Sequence, residues 1–123
     1  MSVNTVRVHD LVKGEVDPGG ATVVLVDRIW PRGVRKESLA HDDWAKDAAP
    51  SSDLRKTLHA GDLDFDEFAE RYRAELDDDP GSQEVDRLAQ IAAKGKLLLA
   101  YASRNTEENH AQILAEVIAD RNR

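Results

Sequence analysis

A chain of 123 residues is long enough to bury a core as one domain, residues 1–123, without metal or disulfide staples. It has no cysteine, which excludes disulfides, thiolate metal sites and cysteine nucleophiles and suits a reducing compartment. Its formal net charge of -7 sets the molecule as a whole against phosphate backbones, so nucleic acid is not the expected partner. Met1-Ser2-Val3-Asn4 lacks the basic start and apolar run of a signal peptide, and the longest apolar runs are too short to cross a bilayer. A soluble cytoplasmic protein without a membrane partner is the expectation.

Taken in order, Thr5-Val6-Arg7-Val8-His9 alternates apolar and polar residues and predicts a first strand at a sheet edge. Val16-Asp17-Pro18-Gly19-Gly20 is a turn cluster that leads into Val23-Val24-Leu25-Val26, an unbroken aliphatic run of the kind buried on both faces of a parallel sheet. Asp27-Arg28-Ile29-Trp30-Pro31-Arg32-Gly33 ends that strand abruptly, because proline and glycine do not continue a ladder. A short helical turn is predicted over Lys36 to Ala40, and Trp44 is expected to pack locally.

Three helices follow. Pro50-Ser51-Ser52-Asp53 is a helix start for a short helix from Asp53 to His59, ahead of Gly61. Asp64-Phe65-Asp66-Glu67 resembles a capping box, and Phe65, Phe68, Tyr72 and Leu76 recur at helical spacing as one apolar stripe. A further helix runs from about Ser82 to Ala93, with Lys94-Gly95 as its stop. Lys96 to Ala102 is the second strongly apolar strand. Thr106 is read as the cap of a last helix, with Glu107 and Glu108 in its first turn. The order β-β-α-α-α-β-α predicts an α/β fold: a small, mostly parallel sheet flanked by helices in one compact domain.

In such sheets ligands sit outside the carboxyl ends of the strands. The first buried strand brings Asp27, Arg28, Trp30, Arg32 and Lys36 to that rim; the second brings Tyr101, Ser103, Arg104 and Asn105, with Asn109 and His110 near the start of the next helix. Arginine forks and a helix N-terminus favour an anion, so a small phosphate- or carboxylate-bearing molecule is the expected ligand. Each residue also has a structural reading. Arg28 can pair with a rim carboxylate, Trp30 can cap the sheet end, and Arg32, Arg35 and Lys36 can form a solvated face. Tyr101 can belong to the core, and His110 can be a hydrogen-bonded structural histidine. His9, His41, His59 and His110 have no metal-ligand spacing, no glycine-rich phosphate loop or nucleophile elbow is present, and neither a cofactor nor a metal is expected.

The string Leu25-Val26-Asp27-Arg28-Ile29-Trp30-Pro31-Arg32-Gly33-Val34 resembles the signature of the YeaO-like branch of the domain-of-unknown-function 488 family. The likeness continues through Asp43-Trp44, Ala49-Pro50-Ser51, Leu54-Arg55, Arg71 to Leu76 and Leu99 to Ala111. It implies an α/β fold and assigns no activity. Departures from the family pattern fall at Asn105, Thr106 and Glu108, where an aspartate, an acid and a histidine are usual. The longer branch carries a cysteine near the corresponding strand end; with none here, thiol chemistry of rhodanese type has no nucleophile.

Beside the plain reading that the Arg-Trp-Pro-Arg segment is purely structural, two readings follow from these residues. In the first, Arg28, Arg32, Lys36 and Arg104 hold a small anion, Asn109 helps bind it, and Trp30 and Tyr101 wall the pocket. In an enzyme of this kind His110 would act as acid or base, with Asp27 orienting it or Arg28. In the second, the protein is a non-enzymatic module whose Arg-Trp-Pro-Arg loop docks an acidic partner or nucleic acid.

Overall fold

The two aliphatic runs lie side by side at the centre of a four-stranded sheet. The computed structural model describes residues 2–123. Strands β1 (Ser2–Arg7), β2 (Thr22–Leu25), β3 (Asp43–Trp44) and β4 (Lys96–Tyr101) are ordered β1-β4-β2-β3, and every pairing is parallel. Val24 stands opposite Leu99 and Leu25 opposite Ala100. Both central strands are buried on both faces, which is why their sequences do not alternate with polar residues.

The period of two divides those strands between two cores. Val24, Val26, Leu97, Leu99 and Tyr101 face a thick helical layer of α2 (Ser52–His59), α3 (Phe65–Leu76), α4 (Gly81–Lys94) and α5 (His110–Arg121). Phe68, Tyr72, Leu76, Val85, Leu88, Leu114 and Ile118 fill that side. Val23, Leu25, Leu98 and Ala100 face a thin cover of α1 (Val8–Val12), Leu39, Trp30 and Trp44. Each fully buried aliphatic side chain contributes about 1.5–3 kcal/mol relative to exposure, so the sheet centre and the helix faces packed on it are both large sources of stability.

The α/β fold and the parallel sheet match the expectation, and several boundaries move. The first strand begins at Ser2 and ends at Arg7, so Val8 and His9 lie in α1. Asp43 and Trp44 form a short edge strand beside β2, which two residues cannot announce in sequence. The expected turn after Lys36 is a single 3-10 turn over Lys36–Ser38. Asp64 caps α3 through the Glu67 amide, as its capping-box pattern suggests. Gly95 is extended (φ -179°) and passes straight into β4, so α4 ends without the left-handed glycine its Lys-Gly stop suggested.

The last helix is the main correction. It starts at His110, with Asn109 as its cap, and Thr106 lies outside it. Asn105 accounts for the shift: its side-chain oxygen accepts from the Glu107 and Glu108 amides and holds Asn105–Glu108 as a turn. No helix among the described residues is long and apolar enough to cross a membrane.

Candidate functional site at the carboxyl rim of the sheet

β2 and β4 are neighbours, so their carboxyl ends emerge together. The ladder makes one further bond after β2, from the Val26 amide to the Ala100 carbonyl (3.0 Å). Asp27 then takes over with its side chain: its Oδ2 accepts from the Ala102 amide at 3.0 Å. The acid at the strand end thus stands in for a backbone acceptor across the two chain exits, a job that a carboxylate does well for a buried amide.

The other carboxylate oxygen of Asp27 faces His110. His110 Nε2 lies 3.0 Å from the Val26 carbonyl and 3.1 Å from Asp27 Oδ1. Both neighbours are acceptors, so Nε2 carries a hydrogen whether the ring is neutral or charged. The geometry directs that hydrogen to Val26, and Asp27 Oδ1 is buried without a hydrogen bond. Beneath the imidazole, Tyr72 presents its ring edge-on at 6.3 Å. Burial holds the Tyr72 hydroxyl far above its ordinary value; Glu75 adds to the shift, Arg28 opposes it and Asp27 adds a smaller push upward.

Arg28 is committed to structure. Its Nε donates to the Pro50 carbonyl (3.0 Å) and its Nη2 to the Ala49 carbonyl (3.1 Å). The same segment receives the Tyr72 hydroxyl on the Ala48 carbonyl, while Glu75 accepts from both the amide and the hydroxyl of Ser51. Arg28 therefore pins the segment leading into α2, and among the described residues it pairs with neither a carboxylate nor another side chain.

Trp30 is anchored as well. Its Nε1 donates to the Val34 carbonyl (2.6 Å), closing a loop in which Gly33 sits at φ 78°, a left-handed conformation that favours glycine. Its ring packs on Trp44 and His41 at 5.4 and 5.3 Å. Trp44 in turn donates to the Asp27 carbonyl (2.6 Å). The charged loop after β2 is thus a fixed wall.

That wall closes one side of a cavity of about 560 Å³ at the rim, inside the range of about 300–1,000 Å³ usual for small-molecule sites. Of the residues singled out from sequence, Asp27, Arg28, Trp30, Arg32, Ser103, Arg104, Asn109 and His110 line it. Lys36 and Tyr101 do not. Lys36 is exposed in its own turn, and Tyr101 is buried in the core, where burial raises its hydroxyl and the nearby Asn109 side chain partly offsets the rise.

Sequence reading missed Arg55, Leu58 and His59, which come to the cavity from one face of α2. Their spacing of three and four was the available signal, but nothing local says that this face turns toward the rim. Phe68, expected as core, is buried and also forms part of the cavity wall.

Charge at the cavity departs from that of the molecule. Arg28, Arg32, Arg55 and Arg104 line it against the carboxylates of Asp27 and Glu108. Arg32, Arg55 and Arg104 are exposed, and their guanidinium groups make no hydrogen bond or ion pair among the described residues. The helix N-terminus is less open than sequence suggested, because Asn109 Oδ1 already accepts from the Gln112 amide. No cluster of metal-ligating side chains occurs among the described residues.

Comparison with known proteins adds the relationship. A family model described as the inactive DUF488-N3 subclade, DUF488-N3i, matches residues 2–123. The chain is 42% identical over 116 residues to the uncharacterized protein YeaO of Escherichia coli (strain K12), covering 94% of this chain and 96% of the relative. Uncharacterized proteins of Mycobacterium bovis and Mycobacterium tuberculosis are each 37% identical over 119 residues, covering 97% of this chain and 95% of theirs. No solved structure gives a significant match.

Proposed function

The chain belongs to the DUF488-N3i family, the inactive DUF488-N3 subclade, and from that starting point we propose that it binds a small anionic molecule at the rim cavity without converting it. The observation that carries this reading is the charge reversal: uncommitted arginines gather at one concave site on a molecule of formal net charge -7. Arg32, Arg55 and Arg104 supply forked donors suited to a carboxylate or phosphate. Arg28 sets the wall's position and Asn109 holds the rim of α5 in place. Binding without turnover is favoured over catalysis by the family's description as an inactive subclade. The absence of cysteine suits a cytoplasmic setting.

The test is a thermal-shift screen of the full chain against inorganic phosphate, phosphate esters, nucleotides and carboxylates, with wild type and Arg104→Ala side by side. A ligand at 100 times its Kd should stabilise wild type by about 2.7 kcal/mol, and that shift should shrink in the variant. Shifts equal in the two proteins would remove the cavity as the site. Association only with polyanions, lost as salt rises, would instead favour the exposed Arg32, Arg35 and Lys36 loop as a docking surface for an acidic partner or nucleic acid.

A further inference from the structure

The arginines account for only part of the cavity. Much of the remaining lining is apolar: Ile29, Pro50, Leu58 and Phe68, together with Trp30. Ile29 is the feature that needs an explanation. Most large aliphatic side chains of this protein are covered, yet Ile29 is 59% exposed, more than either Val12 or Val16 at 38%. The residues on either side of it are anchored through their side chains, Arg28 on the Ala49 and Pro50 carbonyls and Trp30 on the Val34 carbonyl.

Building on the anion-binding reading, we infer that the ligand is amphipathic: a single carboxylate or phosphate group joined to an apolar aryl or short acyl body. The anionic head would meet the exposed forks of Arg32, Arg55 and Arg104, and the body would cover Ile29 and Leu58. A free inorganic anion would leave the apolar wall wet and gain nothing from it. A sugar phosphate would place hydroxyl groups against side chains that offer no hydrogen bond, at a desolvation cost. An apolar body has the opposite balance, since each buried methylene or ring edge adds to binding.

The experiment compares inorganic phosphate with phenyl phosphate, each titrated calorimetrically into the full chain, in wild type and in Ile29→Ser. Both probes present a phosphate group, and only one carries an apolar body. Phenyl phosphate is expected to bind at least about tenfold more tightly than inorganic phosphate, and the ratio of the two affinities should fall at least about threefold in Ile29→Ser. Because Ile29 is largely exposed, the serine variant should fold normally, which its melting temperature checks. Equal binding of the two probes would overturn the amphipathic ligand while leaving the anion site intact. A preference for phenyl phosphate that Ile29→Ser does not reduce would overturn the assignment of the apolar wall. Binding of neither probe would overturn the anion site, and this inference with it.

Discussion

Two arginines of the rim cavity illustrate how one side-chain type serves opposite ends. Arg28 spends its donors on the Ala49 and Pro50 carbonyls, whereas Arg104 is exposed and makes no hydrogen bond or ion pair among the described residues. Removing Arg28 strips two part-buried carbonyls of charged donors, and hydrogen bonds to charged groups are worth about 1.5–3 kcal/mol each in favourable cases. Arg28→Ala should therefore lower the urea midpoint by the equivalent of about 2 kcal/mol or more, with ligand affinity falling as a consequence of the displaced wall. Arg104→Ala should leave stability within about 0.5 kcal/mol of wild type and cost affinity alone. If both substitutions moved only stability, Arg104 would have no part in binding. The sequence presents Arg28 and Arg104 as equals, because both follow a buried strand; what separates them is which groups come within reach after folding.

At the scale of elements, the site depends on where α5 begins. In sequence Thr106, with Glu107 and Glu108 after it, reads as the helix start, whereas in the structure the cap is Asn109, three residues later. The later one prevails because Asn105 and Asn109 cooperate. Asn105 accepts from the Glu107 and Glu108 amides, Asn109 donates to the Asn105 carbonyl (2.8 Å), and Asn109 accepts from the Gln112 amide. This arrangement makes His110 the first residue of the helix, beside Asp27. Asn109 is 4% exposed, so Asn109→Ala would lose a cap and leave buried groups unpaired. A loss of about 1–2 kcal/mol is expected. Hydrogen-exchange protection should fall across Ser103 to Gln112 while the sheet centre keeps its own. Uniform loss of protection would mean that the cap supports the whole fold and not the rim in particular.

For the whole molecule, the thick core and the site meet at Tyr72. Its hydroxyl donates to the Ala48 carbonyl from full burial, and burial is the main reason why its ionisation is pushed far above the ordinary value of 10.0. A group whose folded value is raised contributes stability that is fully present below its unfolded value and is lost as pH climbs above it. Tyr101 is shifted in the same direction, first by burial. Stability should therefore be insensitive to these groups near neutral pH and decline above about pH 10. Tyr72→Phe should be less stable than wild type at pH 7 by about 1–2 kcal/mol, because the Ala48 carbonyl loses its partner. That gap should narrow above pH 10, since phenylalanine has no proton to lose. Parallel melting-temperature curves for the two proteins across the alkaline range would show that Tyr72 does not set the alkaline limit.

Much was determined by sequence alone. Aliphatic runs at Val23–Val26 and Leu97–Ala100 read as central parallel strands, because no polar alternation leaves a face for water. The stripe of Phe68, Tyr72 and Leu76 fixed the buried face of α3, and the break at Asp27–Gly33 marked the rim. These are local patterns, and local sterics and burial decide them. Tertiary structure decided the rest: that Asp43–Trp44 joins the sheet, that Arg55 and His59 reach the cavity, that Tyr101 and Lys36 do not, and that Ile29 is left exposed against a charged rim. Each of these depends on which distant groups share a neighbourhood, and a side chain's free donors are known only once its partners across the fold have been assigned.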